Sequence, residues 1–245
     1  MSRKFILCNA LILLCSACAL LWLMPVGGSL DQQFIHPFVN VPLGFQLKKY
    51  WWYDQFAHGY LKHWLTFILV FLLVRLCLHR ILPKSLQLRY RAQYATFLMM
   101  ALLSMSVVSI FKHYSSHSCP WDILDQTSLQ TSGIVQFLPK LGEGGCFPGG
   151  HASLGYAWLT GFFAFYPVQK RLALFYLFSG LILGTGMGWV QTMRGAHFMS
   201  HNLWTMWLCF LVGFLCCCGM LVRAQYQKRN TICRHNFKSV AESRE

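Results

Sequence analysis

Apolar residues run along this chain in long stretches broken by short polar or aromatic ones, and six stretches are long enough, as helices, to cross ~30 Å of hydrocarbon. They lie near 5–25, 64–80, 94–111, 152–167, 172–190 and 202–222. The pattern predicts an all-α polytopic membrane protein: six transmembrane helices in a bundle, with an outer loop region between spans three and four. The fourth run is the shortest, but Gly155 and Gly161 suit a helix packed tightly against its neighbours. The first run, behind Arg3 and Lys4, reads either as a retained anchor or as a secretory signal ending near Ser16-Ala17-Cys18. Its continuation through Leu20, Leu21, Trp22, Leu23 and Met24 without a small-residue break favours the anchor. Between Phe45 and Trp64 aromatic residues alternate with Lys48, Lys49, Asp54 and Lys62, the pattern of an amphipathic stretch at headgroup depth. It serves there as an anchoring belt or as a platform guiding lipid. From Arg223 onward the chain is basic and shows no apolar pattern, so residues 223–245 are expected to be a disordered cytoplasmic tail.

Composition agrees with this picture, because 56% of residues are hydrophobic and only 11% are charged, against roughly 25% in soluble domains. The +14 net charge requires no nucleic-acid partner, since Lys and Arg gather on the cytoplasmic side of membrane proteins beside anionic lipid. With the N-terminus inside, fifteen of the twenty-one basic residues fall in cytoplasmic segments. The outer face keeps Lys48, Lys49, Lys62, Lys112, Lys140 and Arg194. Both termini are therefore expected in the cytoplasm. The spans hold almost no charge, which argues against an ion path.

This topology brings several chemically capable residues to one face. Lys112 ends span three, Pro148-Gly149-Gly150-His151 opens span four, and Arg194-Gly195-Ala196-His197 precedes span six. A histidine can attack or protonate a phosphoryl group near neutral pH, while a glycine turn at a helix start offers backbone N–H groups to its oxygens. Together these residues read as a phosphate-handling site. His197 and His201 could share a helix face as metal ligands, but no well-spaced carboxylate or thiolate completes a set, so no metal and no cofactor is assigned. Asp122, Asp125 and Glu143 read as solvated loop residues rather than headgroup contacts.

With these residues in place, the chain resembles the type 2 phosphatidic acid phosphatase superfamily in its membrane branch, over roughly residues 60–222. That branch carries a Lys followed after six residues by Arg-Pro, then Pro-Ser-Gly-His, then Ser-Arg followed by a His and an Asp. Here Lys112 precedes Cys119-Pro120, the second motif is Pro148-Gly149-Gly150-His151, and the third aligns through Gly195-Ala196-His197-Phe198. Four positions depart: Cys119 stands for Arg, Gly149 for Ser, Gln191 for Arg and His201 for Asp.

The resemblance implies a first unit of residues 1–63 (first span and aromatic segment), a phosphatase core of five spans over 64–222, and the tail 223–245. It implies His197 as nucleophile and His151 as general acid and base. Lys112, Arg194, Gly149 and Gly150 would bind phosphate, and His201 or Asn202 would orient His197. Cys119 and Cys146, both in the outer loop, are expected to form a disulfide, while the other nine cysteines are small apolar fillers or tail residues. The expected activity is removal of phosphate from a membrane lipid phosphate or pyrophosphate at the periplasmic face of a bacterial inner membrane. The alternatives are a lipid phosphotransferase and a catalytically degenerate protein that binds or transports lipid phosphate. Oligomeric state is not legible.

Overall fold

A backbone in hydrocarbon has no water to satisfy its N–H and C=O groups, so the apolar runs fold as helices, which close those bonds internally. The computed structural model describes residues 2–132, 135–137 and 144–242, with the side chains of 57–58 and 232–242 left aside. Among these residues five helices are long and apolar enough to cross a membrane, within 3–23, 52–77, 91–113, 170–193 and 199–231.

Helix α1 (Arg3–Leu23) starts at Ser2, whose hydroxyl accepts from the Phe5 amide, and it lies along the last helix, where Trp207 donates its indole N–H to the Leu13 carbonyl. A short α2 (Ser29–Ile35) follows. The aromatic segment then winds as a π-helical stretch (Trp52–Tyr60) directly into α3 (Leu61–Cys77). Helix α4 (Arg91–His113) runs back along the bundle, followed by the short loop helices α5 (Pro120–Ile123) and α6 (Gln126–Ser132).

The fourth expected span takes a different form. Residues 150–165 make α7 (Gly150–Tyr156), a 3-10 turn (Ala157–Leu159) and α8 (Thr160–Phe165). At ~1.5 Å per residue this rod is ~24 Å long, short of the hydrocarbon thickness. It is buried from residue 152 to 165, enclosed by its neighbours instead of facing lipid. Five span-length helices therefore replace the expected six. The two glycines act as anticipated: a Cβ on Gly155 would stand 2.5 Å from the Gly184 amide of α9 (Lys170–Met193), and one on Gly161 would enter the Tyr176 ring.

The expected disorder of the tail is also corrected, because α10 runs from Met199 to Glu242 as one 44-residue helix. No Gly or Pro interrupts 223–242, so nothing stops the helix where the apolar run ends.

Aromatic rings fill the core at the inner half, where Tyr176 stacks on Phe165 at 5.1 Å and meets Phe97 at 4.7 Å. The outward faces of the long helices are apolar too, as at Leu14, Phe71, Phe178 and Ile182. That is the reverse of a water-soluble bundle and fits helices bathed in lipid.

Candidate active site

At one end of the bundle the last turn of α4, the first turn of α7 and the α9–α10 junction converge. Lys112 sits in that last turn of α4, and its Nζ lies 3.5 Å from where a Cβ on Gly150 would stand. The chain then passes through Ser115 and His117, and the returning strand of the loop pairs with it: the Gly145 amide donates to the Ser115 carbonyl (2.7 Å) and the Cys146 amide to the His117 carbonyl (2.9 Å). The expected Cys119–Cys146 disulfide closes this pairing, with the Cα atoms 5.2 Å apart. By loop-closure entropy such a bridge contributes ~3 kcal/mol, on a model-dependent scale. It holds the start of α7 against the end of α4.

Gly149 caps α7, and a Cβ there would lie 2.5 Å from the Asn202 Oδ1, so the backbone approaches α10 more closely than any side chain permits. Its amide donates to the His201 carbonyl (3.2 Å) and its carbonyl accepts from the Thr205 hydroxyl (3.2 Å). The Gly149 N–H, expected to face phosphate, is thus committed to the protein.

The third motif is a turn between two helices. Gly195 adopts φ +76°, and the amides of Ala196 and His197 both donate to the Gln191 carbonyl. The turn is locked from outside: Asp31 of α2, fully buried, accepts from the Ser200 amide (2.8 Å), the Ser200 hydroxyl and the Gly27 amide (2.8 Å). Burial raises the Asp31 carboxyl above its ordinary range, against these hydrogen bonds. Sequence reasoning did not single out Asp31. An acid in an outer segment of a chain with only seven Asp and Glu was the available signal.

His197 is 3% exposed, and its Nδ1 lies 3.5 Å from the Nδ1 of His201, which is itself fully buried. Burial holds the His197 ring well below the ordinary histidine range, and the nearby charges of His201, Lys112 and His151 push the same way. The Cys146 carbonyl opposes them through a hydrogen bond. His197 is therefore neutral at pH 7, with a ring lone pair available. His151 stands in the first turn of α7, partly exposed.

The structure thus gathers Lys112, Gly150, His151, His197 and His201 in one place. Two other expected residues turn elsewhere. Arg194, 6% exposed, pairs with Asp54 at 2.5 Å and reaches the Lys48 carbonyl and Gln191 Oε1 at 3.4 Å. Asn202 gives its amide to the Gly188 carbonyl, the Thr192 hydroxyl and the Phe198 carbonyl, joining α10 to α9 rather than bonding His197. In the loop, Asp125 caps α6 by accepting from the Thr127 and Ser128 amides. Lys140 and Glu143 lie outside the described residues.

The chain matches no curated protein and no solved structure. A family model, the PAP2 superfamily, matches residues 93–224, just over half of the chain, and this stretch contains Lys112, the Pro148–His151 motif and the His197 turn. The convergence of those three motifs and the extent of the match carry one conclusion: the chain belongs to the PAP2 superfamily.

Proposed function

We propose that this protein is a metal-independent lipid phosphatase working through a phosphohistidine on His197. Membership of a superfamily of phosphatases supports a phosphate ester as substrate, and the apolar helices support a lipid one. The observation that carries the reading is the buried, neutral His197 faced by Lys112 and His151.

The Nδ1 contact between His197 and His201 needs a proton on one of the two atoms. Placed on His197, it leaves Nε2 as the nucleophilic nitrogen and fixes the tautomer, the task of the missing Asp. Nε2 attacks phosphorus in line, the bond from phosphorus to the lipid oxygen breaks, and His151 gives its proton to that oxygen. His151 then takes a proton from the water that attacks the phosphohistidine, which releases phosphate and restores His197. Lys112 and the Gly150 N–H hold the equatorial oxygens, joined by Arg194 once it exchanges Asp54 for the substrate anion. Gly149 shapes this cradle by its close approach to α10, and Asn202 orients His197 indirectly by fixing α10 to α9.

The distribution of basic residues supports both termini in the cytoplasm and the site on the opposite face, and the resemblance to the membrane branch of the family makes that face the periplasmic side of a bacterial inner membrane. Undecaprenyl pyrophosphate, lipid A phosphates and phosphatidylglycerol phosphate are the candidate substrates. One second reading has an observation behind it: the departures at Cys119, Gln191 and His201 remove charged partners of the family pattern, which suits a protein that binds lipid phosphate without cleaving it. Phosphate release from a lipid panel by the purified protein, without added metal, separates the two. Release that disappears in His197→Ala is the expected result; binding without release by the wild type would overturn the enzyme reading.

A further inference from the structure

Beside His201 lies a cavity of about 300 Å³ framed by Gln32, His117, Ser118, Phe137, Phe198 and His201. Its volume is at the lower end of small-molecule sites, roughly 300–1,000 Å³, and too small for a lipid tail. Gln32 and His117 are exposed and form its rim, whereas Ser118 and His201 are buried.

Two features of the wall define what it takes. The Ser118 hydroxyl and the His201 Nε2 are both buried without a hydrogen-bond partner among the described residues. Unsatisfied polar atoms are costly in a protein interior, and two against one cavity mark a place where a hydrogen-bonding group belongs. In the tautomer of the proposed mechanism His201 Nδ1 accepts from His197, so Nε2 carries the proton and calls for an acceptor oxygen, while the Ser118 hydroxyl can donate or accept. The second feature is charge. No Asp, Glu, Lys or Arg lines the cavity among the described residues, and phosphate recognition calls for fixed cations. Phe137 and Phe198 add apolar surface.

We infer that this cavity is a headgroup subsite, taking an uncharged hydroxyl-rich group, a glycerol or sugar ring, that bears the scissile phosphate. The assignment rests on the phosphatase reading, because His201 then forms the shared wall: its Nδ1 faces the nucleophile and its Nε2 the headgroup. A phosphate borne on a polyol is bound on both sides of that wall. One attached directly to diacylglycerol or a polyprenol meets only the His197 side.

The test compares vesicles containing phosphatidylglycerol phosphate with vesicles containing phosphatidic acid of the same acyl chains. Affinity is read with the His197→Ala protein, so that turnover does not intervene, and phosphate release by the wild type is measured in parallel. The expected result is about fivefold tighter binding of the glycerol-bearing lipid, falling towards equality when Ser118→Ala or His117→Ala is added, as loss of one or two hydrogen bonds predicts. The two variants are independent, so misfolding of one leaves the other decisive. Equal affinity for the two lipids, or a preference that survives both variants, overturns the subsite. Absence of release by the wild type with the preference intact would instead remove the phosphatase reading and leave the subsite standing.

Discussion

His197 can serve as a nucleophile only while its ring is unprotonated, and here burial secures that state more than any hydrogen bond does. The direction of the shift has two consequences. In catalysis, the limb of the pH profile set by the nucleophile lies below pH 6.5, so kcat/KM is expected not to fall as pH drops from 7.5 through 6.5. A limb at 6.5 or above that tracks His197 would show that the ring is solvated. In stability, the unfolded chain takes up a proton at about pH 6.5 while the folded ring does not. The contribution is therefore present above about pH 6.5 and is lost as pH falls through and below it. Thermal unfolding in detergent at pH 7.5 and 5.5 checks the sign: the wild type is expected to lose more stability on acidification than His197→Ala. His201 is the residue whose role the sequence left most open. It stands where the family pattern has Asp, and its 3.5 Å contact with His197 puts a ring nitrogen where a carboxylate was expected.

Among the elements, the short rod of α7 and α8 has to be held by contact, since it cannot anchor itself across the membrane. Gly155 and Gly184 let it meet α9 backbone to backbone. A methyl group at 155 would stand 2.5 Å from the Gly184 amide, which neither helix can yield without parting. Gly155→Ala is expected to destabilise the fold by about 1–3 kcal/mol through overpacking, and to reduce activity because α7 carries His151. Gly186→Ala is the internal control: nothing lies within 4 Å of its Cβ position, so the change is expected to be neutral or slightly stabilising. Thermal melts of both variants read the difference, and equal shifts would mean that the crossing is looser than described. The same rod shows what was legible in the sequence. Apolar runs located all five span-length helices, because run length is a local property. Whether a sixteen-residue run crosses a membrane alone or is sheltered by neighbours is a tertiary property, and only Gly155 and Gly161 hinted at it. Asp31 on Ser200 and Asp54 on Arg194 are contacts across 169 and 140 residues, which no local pattern encodes.

On the scale of the whole molecule, the outer segments before α3 strap the third motif from outside. The Phe45 ring packs where a Cβ of Gly195 would be, Lys48 lies 4.1 Å over the Trp121 ring, and Asp54 holds Arg194. Asp54 is 37% exposed, so its hold is worth about 1 kcal/mol or less. Asp54→Asn is accordingly expected to strengthen inhibition by inorganic phosphate two- to fivefold by freeing the guanidinium; weaker inhibition would mean that Asp54 positions Arg194 instead of competing with substrate. This strap, the disulfide loop and all three motifs lie at one end of the bundle, so the side of the membrane on which that end opens decides which leaflet supplies substrate. The chain carries most of its Lys and Arg at the opposite end: at the start of α1, on the 78–90 turn, at the start of α9, and beyond residue 222. Juxtamembrane basic residues are retained on the cytoplasmic side, and the proposed function takes the site to face the opposite side on that ground. Protease added to intact spheroplasts is expected to cleave an epitope inserted after Ser132 and to spare one at the C-terminus. Cleavage of the C-terminal epitope would invert the whole arrangement, placing the disulfide in a reducing compartment and the phosphate site on the cytoplasmic leaflet.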